Sequence, residues 1–264
     1  MNDLRTHKGF TLVELVIVIV IAGILAVGSV QFVGQATQGY SDAADRQQLA
    51  TIGWIASEKV SRELRNALPN SLRLDSNTVK KCIEFIPVIS GSHYLTLPGA
   101  TPATPKSFTA VASGFVSTPT DTRIAVYPTS TSDIYSSGSG SLSSSDIDKL
   151  DIDTPSAGID TITLTNSFSF STSSPERRFF FTQSPIMYCI EGSRLNRYSD
   201  YGISPSFPSP SNPQIIIDKL NFSLSSFAIS PATLTRNAIV AMQFALENGA
   251  KHSVDQEVQI RNVP

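Results

Sequence analysis

The sequence predicts an α+β protein: one long N-terminal helix followed by antiparallel β-structure. Three observations carry this. Residues 10–30 form an almost unbroken apolar run in which only Thr11, Glu14 and Ser29 have polar side chains. Beyond it the chain turns polar but keeps apolar or small residues at Phe32, Ala36, Tyr40, Ala43, Leu49, Ile52, Ala56, Val60, Leu64 and Ala67, the three-and-four spacing of a helix face. After Pro69 the pattern changes to short alternating runs bounded by Pro, Gly and Ser, which is the grammar of strands.

The first element is therefore a helix over 10–68, about 59 residues and roughly 90 Å long if straight. It ends at Pro69, with Asn70 and Ser71 as turn formers. Its first 21 residues span about 30 Å, the hydrocarbon thickness of a bilayer. Residues 10–30 form the spanning segment, and residues 31–68 an amphipathic second half with one face for a globular domain. Gly23, Gly28 and Gly34 are weak points, each costing up to about 1 kcal/mol relative to Ala.

The strands expected after the helix are 71–74, 82–89, 94–97, 123–127, 161–164, 178–182, 186–191, 194–198, 214–225, 238–247 and 252–261. Gly192-Ser193 and Asn248-Gly249 mark tight hairpins. These strands belong to one globular domain over 69–264. Residues 129–145 are rich in Ser and Gly and read as a mobile surface loop. Residues 204–213 contain Pro205, Pro208, Pro210 and Pro213 and read as an extended exposed loop.

Glu14 is the anomaly in the helix. A carboxylate inside a bilayer costs on the order of 2–3 kcal/mol, so an acid placed there is a functional candidate. After Lys8 the next basic residue is Arg46, so no side chain can pair with it within helical reach. Cleavage between Gly9 and Phe10 would create an α-amino group, with a reference pKa near 8, four residues before the acid. In a stack of helices, Glu14 of one chain can then meet the Phe10 amine of the next. A secretory signal has a shorter apolar core, although Ala26-Val27-Gly28 offers a weak cleavage site. A plain anchor explains the hydrophobicity but neither the Gly-Phe boundary nor the acid.

A short basic leader ending in Gly9, then Phe10-Thr11-Leu12-Val13-Glu14 and a long apolar run, resembles the type IV prepilins and the type II secretion pseudopilins. That resemblance implies removal of the leader 1–9 by a prepilin peptidase at the cytoplasmic face. It also implies N-methylation of Phe10 and use of Glu14 in fibre assembly. Arg5, His7 and Lys8 against Asp3 hold the leader in the cytoplasm and send the remaining chain into the periplasm. Further segments, including 62–71, Cys82-Ile83-Glu84-Phe85-Ile86-Pro87, Tyr188-Cys189 and Arg261-Asn262-Val263-Pro264, resemble minor pilins of the mannose-sensitive haemagglutinin (MSHA) pilus. The implied partners are other minor pilins, a major pilin and an inner-membrane assembly platform. The implied role is to initiate or cap a pilus, with the subunit at its tip, in support of attachment. J-type pseudopilins and W-type minor pilins are the wider relatives, and a membrane-anchored glycan-binding module is the reading from another class.

In an oxidising periplasm Cys82 and Cys189 are expected to form a disulfide, closing a loop of about 108 residues. No second Cys at ligand spacing supports a metal or catalytic role for them. Asp146, Asp148, Asp151 and Asp153 form an oxygen-rich cluster, a weak calcium candidate. Leu150 occupies a ligand position of an EF-type loop, and a solvated edge strand explains the alternation equally well. No Gly-x-Ser-x-Gly elbow is present, so no enzyme and no cofactor are expected. The net charge of −2, or −3 without the leader, gives no basic stripe for nucleic acid. Tyr135, Tyr198, Tyr201 and Phe179 to Phe181 could include a sugar-stacking surface, but aromatics at strand spacing usually form core.

Overall fold

The computed structural model describes residues 10–97, 106–112, 122–136, 141, 147–152 as backbone, 158–232 and 236–260. Helix α1 runs over Leu12–Arg65. After it come β1 (Arg73–Ser76), β2 (Lys80–Phe85), β3 (Val88–His93), β4 (Ser107–Val111) and β5 (Arg123–Ala125). A short α2 (Ser132–Tyr135) precedes β6 (Ile147–Ile152), β7 (Ile159–Leu164), β8 (Arg178–Thr182), β9 (Ile186–Glu191) and β10 (Arg194–Tyr198). The last strands are β11 (Gln214–Ile217), β12 (Ser226–Ser230), β13 (Ala238–Asn248) and β14 (Ala250–Ile260). All ladders are antiparallel, in the orders β1-β2-β9-β10-β11, β12-β13-β14, β3-β8-β5 and β4-β7-β6. The chain is thus α+β, and the strands of the described residues form four sheets.

The chain divides into two units, Met1–Gln48 and Leu49–Pro264. In the first, α1 is long and apolar enough to cross a membrane, and its apolar window is not buried by the rest of the chain. The helix is continuous through Gly23, Gly28 and Gly34, with no atom near where their side chains would be.

In the second unit, α1 buries Leu49, Gly53, Ala56, Ser57, Val60, Ser61 and Leu64 along one stripe. The buried hydroxyls are satisfied within the helix: Ser57 Oγ donates to the Trp54 carbonyl (2.9 Å) and Ser61 Oγ to the Ser57 carbonyl (2.7 Å). Against this stripe pack Ile83, Phe85, Tyr188 and Ile190 from the five-stranded sheet, and Val240, Phe244, Leu246 and Val258 from the β13–β14 hairpin. Gly53 permits the closest approach. A Cβ there would lie 2.8 Å from Val254 Cγ2 and 2.9 Å from Leu246 Cδ1. Gly53→Val is expected to lower stability by about 1–3 kcal/mol through overpacking, read as a lower urea midpoint at unchanged m-value. An unaltered midpoint would show that the hairpin can shift away at no cost.

The helix stops at Arg65, short of the expected residue 68. The Leu68 N–H donates to the Ile86 carbonyl (2.8 Å) and the Val88 N–H to the Asn66 carbonyl (2.7 Å), so the backbone is already paired with the sheet segment around Pro87. Strands β8, β9 and β10 fall on the expected residues. The run at 82–89 breaks at Ile86-Pro87 into β2 and β3. The run at 214–225 ends at Ile217, because Asn221 Oδ1 accepts the Ser223 and Leu224 N–H groups in a side-chain turn. Tyr94–Leu97 contributes one bridge, Tyr94 to Ala110.

Two loop expectations are corrected. In the Ser-rich stretch, of which 137–140 and 142–145 lie outside the described residues, α2 buries Ile134 and Tyr135, and the Tyr135 hydroxyl donates to the Ser71 carbonyl at 3.0 Å. The Pro-rich stretch is docked in part. Phe207 packs on the Cys82–Cys189 cluster, and Arg73 Nη1 donates to the Pro205 carbonyl at 3.0 Å.

Candidate assembly site

The N-terminal end of α1 holds the residues singled out from the sequence, apart from Gly9, which lies outside the described residues. Thr11 caps the helix. Its Oγ1 accepts the Glu14 N–H at 3.3 Å and its carbonyl accepts the Leu15 N–H at 3.2 Å. Thr11-Leu12-Val13-Glu14 has the spacing of a capping box, with an acid in the positively polarised first turn. Phe10 is 77 % exposed and Leu12 79 %, and Glu14 is exposed as well, so the chain itself covers none of this surface. Every helical residue from Leu12 to Ala44 is exposed. The apolar part of this surface, up to Val33, requires lipid or other helices around it.

The second unit places the remaining candidates. Cys82 and Cys189 are directly paired residues of β2 and β9 and are joined as a disulfide, with Cα atoms 4.1 Å apart. Among the described residues, the grouping with metal-ligand character is Cys82, Cys189 and Glu191. Both sulfurs are in the disulfide, and Glu191 Oε2 accepts hydrogen bonds from the Tyr198 hydroxyl (2.9 Å) and Asn196 Nδ2 (2.7 Å). The carboxylate is thus committed to the fold. Asp146 and Asp153 lie outside the described residues; Asp148 and Asp151 fall on β6, an edge strand. The aromatic candidates are mostly core: Phe179, Phe181 and Tyr135 are buried, whereas Phe180 is half-buried on the other face of β8.

Two polar networks escaped the sequence reading. Arg73 pairs with the fully buried Glu84, whose other oxygen accepts the Tyr201 hydroxyl at 2.9 Å. The same guanidinium stacks on Tyr135, 3.7 Å from the ring centre. Burial, then the charge of Glu84, pushes the Tyr201 phenol well above its usual range. On the other side of the sheet, Glu63 of α1 pairs with Arg197 of β10 at 3.0 Å. Burial alone would lower the Arg197 pKa, but the hydrogen bonds and charge of Glu63 outweigh it and hold it raised. Burial, followed by the hydrogen bond to Glu191, pushes Tyr198 up to about 12. The Tyr201–Glu84 and Arg197–Glu63 ties join residues 117 and 134 positions apart, and no local pattern announces them.

The family model described as the prokaryotic N-terminal methylation motif matches residues 4–30. With the geometry above, it supports a type IV pilin-like protein held in the inner membrane by its apolar helix. The motif implies processing by a prepilin peptidase and assembly with other pilins. No curated protein and no solved structure matches the chain.

Proposed function

We propose that the chain is the precursor of a minor type IV pilin of the MSHA type, most like its minor pilin O, which initiates or caps pilus assembly and supports attachment. The leader 1–9 is removed after Gly9, Phe10 is N-methylated, and residues 10–30 anchor the protein in the inner membrane before assembly. Residues 31–68 continue the helix, and the β-rich domain over 69–264 stands in the periplasm and, after assembly, at the pilus tip. Other minor pilins, the major pilin and the inner-membrane platform are its partners, and its role is structural rather than enzymatic. The observation that carries this reading is an uncovered apolar helix whose first turn holds an acid, under a methylation motif. A large disulfide-bridged domain suits a subunit used once at a tip better than one repeated along a fibre.

The test combines mass and place. The mature protein is expected to begin at methylated Phe10, and Gly9→Val to retain the full precursor mass; an unchanged mature mass in that variant would sink the cleavage assignment. For place, Ser211→Cys introduces a reactive thiol at an exposed position. The native cysteines are held in their disulfide. A maleimide dye on intact cells is expected to mark single foci at fibre ends. Labelling only after the outer membrane is opened would overturn the tip reading in favour of a secretion pseudopilin of the J type.

A further inference from the structure

We propose that the groove between the end of α1 and the outer face of β3 and β8 binds an acidic oligosaccharide. Its floor follows from strand alternation in Arg178-Phe179-Phe180-Phe181. Phe179 and Phe181 point into the core and are fully buried. Arg178 and Phe180 therefore point the other way, where their cross-strand partners are His93 and Gly91. A Cβ at Gly91 would come within 3.0 Å of the Phe180 ring, so the ring lies over bare backbone. Arg65 and Asn66 from the end of α1, and Asn237 ahead of β13, form the walls.

The groove is open to solvent and has a volume of about 850 Å³, within the range of small-molecule sites and large enough for two or three sugar rings. The charge of the lining has one sign. Arg65 and Arg178 are its formal charges, and no Asp or Glu is among the lining residues. That is a local excess in a chain with 20 basic and 22 acidic residues. Planar guanidinium groups suit carboxylates and sulfates. Phe180 is half-buried against the Leu68, Ile86 and Ala125 cluster, and the part of its ring that lines the groove supplies an apolar face for the C–H side of a sugar; the amides of Asn66 and Asn237 can both donate to and accept from hydroxyls. A single inorganic anion would leave most of this space and the ring unused. Glu176, outside the lining, is ion-paired with Arg178 and competes for the same guanidinium.

The experiment uses the full processed chain in detergent micelles, with a fluorescein-labelled tetragalacturonate followed by polarisation. Maltotetraose and a tetraglutamate peptide serve as competitors. The uronate is expected to bind saturably, and Arg65→Gln with Arg178→Gln to weaken it at least about tenfold. Phe180→Ala is expected to weaken it about fivefold. Glu176→Gln is expected to tighten it about two- to fivefold by releasing Arg178, a gain that a merely structural role would not give. Near-UV circular dichroism matching the parent checks that each variant is folded. Equal competition by maltotetraose would overturn the role of charge, and equal competition by tetraglutamate would overturn the sugar assignment. An Arg65/Arg178 variant that is folded and binds like the parent would place the uronate elsewhere and overturn the proposal.

Discussion

Replacing Glu14 with Ala is expected to leave cleavage and membrane insertion intact while reducing incorporation into fibres by about one to two orders of magnitude. The cleavage bond precedes Phe10, and Thr11 still caps the helix through an oxygen that the substitution does not touch. Alanine is also the better helix former and removes the cost of a carboxylate in lipid, so the anchor itself should gain. Only a role in subunit pairing loses. An acid in an apolar medium that finds a cationic partner recovers about 2–3 kcal/mol of its insertion cost, and each 1.36 kcal/mol is a factor of ten. Glu14→Gln separates charge from shape: it keeps the size and a capping-box side chain but cannot attract an α-ammonium group. Both variants are expected to fail alike, measured as the labelled fraction in sheared fibres against the fraction in membranes. Full incorporation of either variant, as the sole copy, would reduce the helix to an anchor.

What the sequence made legible was local. The apolar run and the strand-like runs at 178–182, 186–191 and 194–198 are short-range patterns, and each maps onto the observed element. Strand β9 shows why the reading worked: Met187 and Cys189 fall on one face and Ile186, Tyr188 and Ile190 on the other, so both sides of a central strand are apolar. The misses have a different origin. The helix ends early because residues 66–68 find backbone partners near Pro87. The Pro-rich stretch docks because Arg73, more than 130 residues earlier, reaches Pro205. Gly53 did leave a signal, a glycine within the apolar stripe of the helix, but its meaning depends on Val254 and Leu246, which only the fold brings beside it. The groove likewise joins residues 65, 93, 178 and 237, which no spacing rule connects. Three consecutive phenylalanines read as core; alternation turns the middle one to the other face, where it is half-buried against Leu68, Ile86 and Ala125.

Removing the disulfide is the other change expected to have a large effect. Cys82 and Cys189 are 107 residues apart, and β3 through β8, two complete three-stranded sheets, lie within the loop they close. The chain-entropy account gives about 4.8 kcal/mol for a loop of this length, and measured losses for native bridges run from about 2 to 5 kcal/mol. Cys82→Ala with Cys189→Ala is therefore expected to lower unfolding free energy by about 2–5 kcal/mol in urea. The bridge joins residues already paired in β2 and β9, on the face away from α1, so its loss removes no helix contact. The altered strands should show first: hydrogen exchange at β2 and β9 should rise before exchange at Leu49–Leu64 of α1. A loss under about 1 kcal/mol would mean that the β2–β9 ladder holds the inserted sheets without the bridge. The wild-type protein offers a second reading of the same physics. Both cysteines are about 1 % exposed, covered by Met187, Tyr198, Tyr201 and Phe207. A reductant should then reach the sulfurs only when this cover opens, and the rate of thiol appearance under native conditions should track the stability of the Arg73–Glu84–Tyr201 network that holds the cover in place. Arg73→Met, which keeps the stem but breaks the ion pair, is expected to accelerate reduction; an unchanged rate would mean that the strands themselves, not the docked loop, limit access.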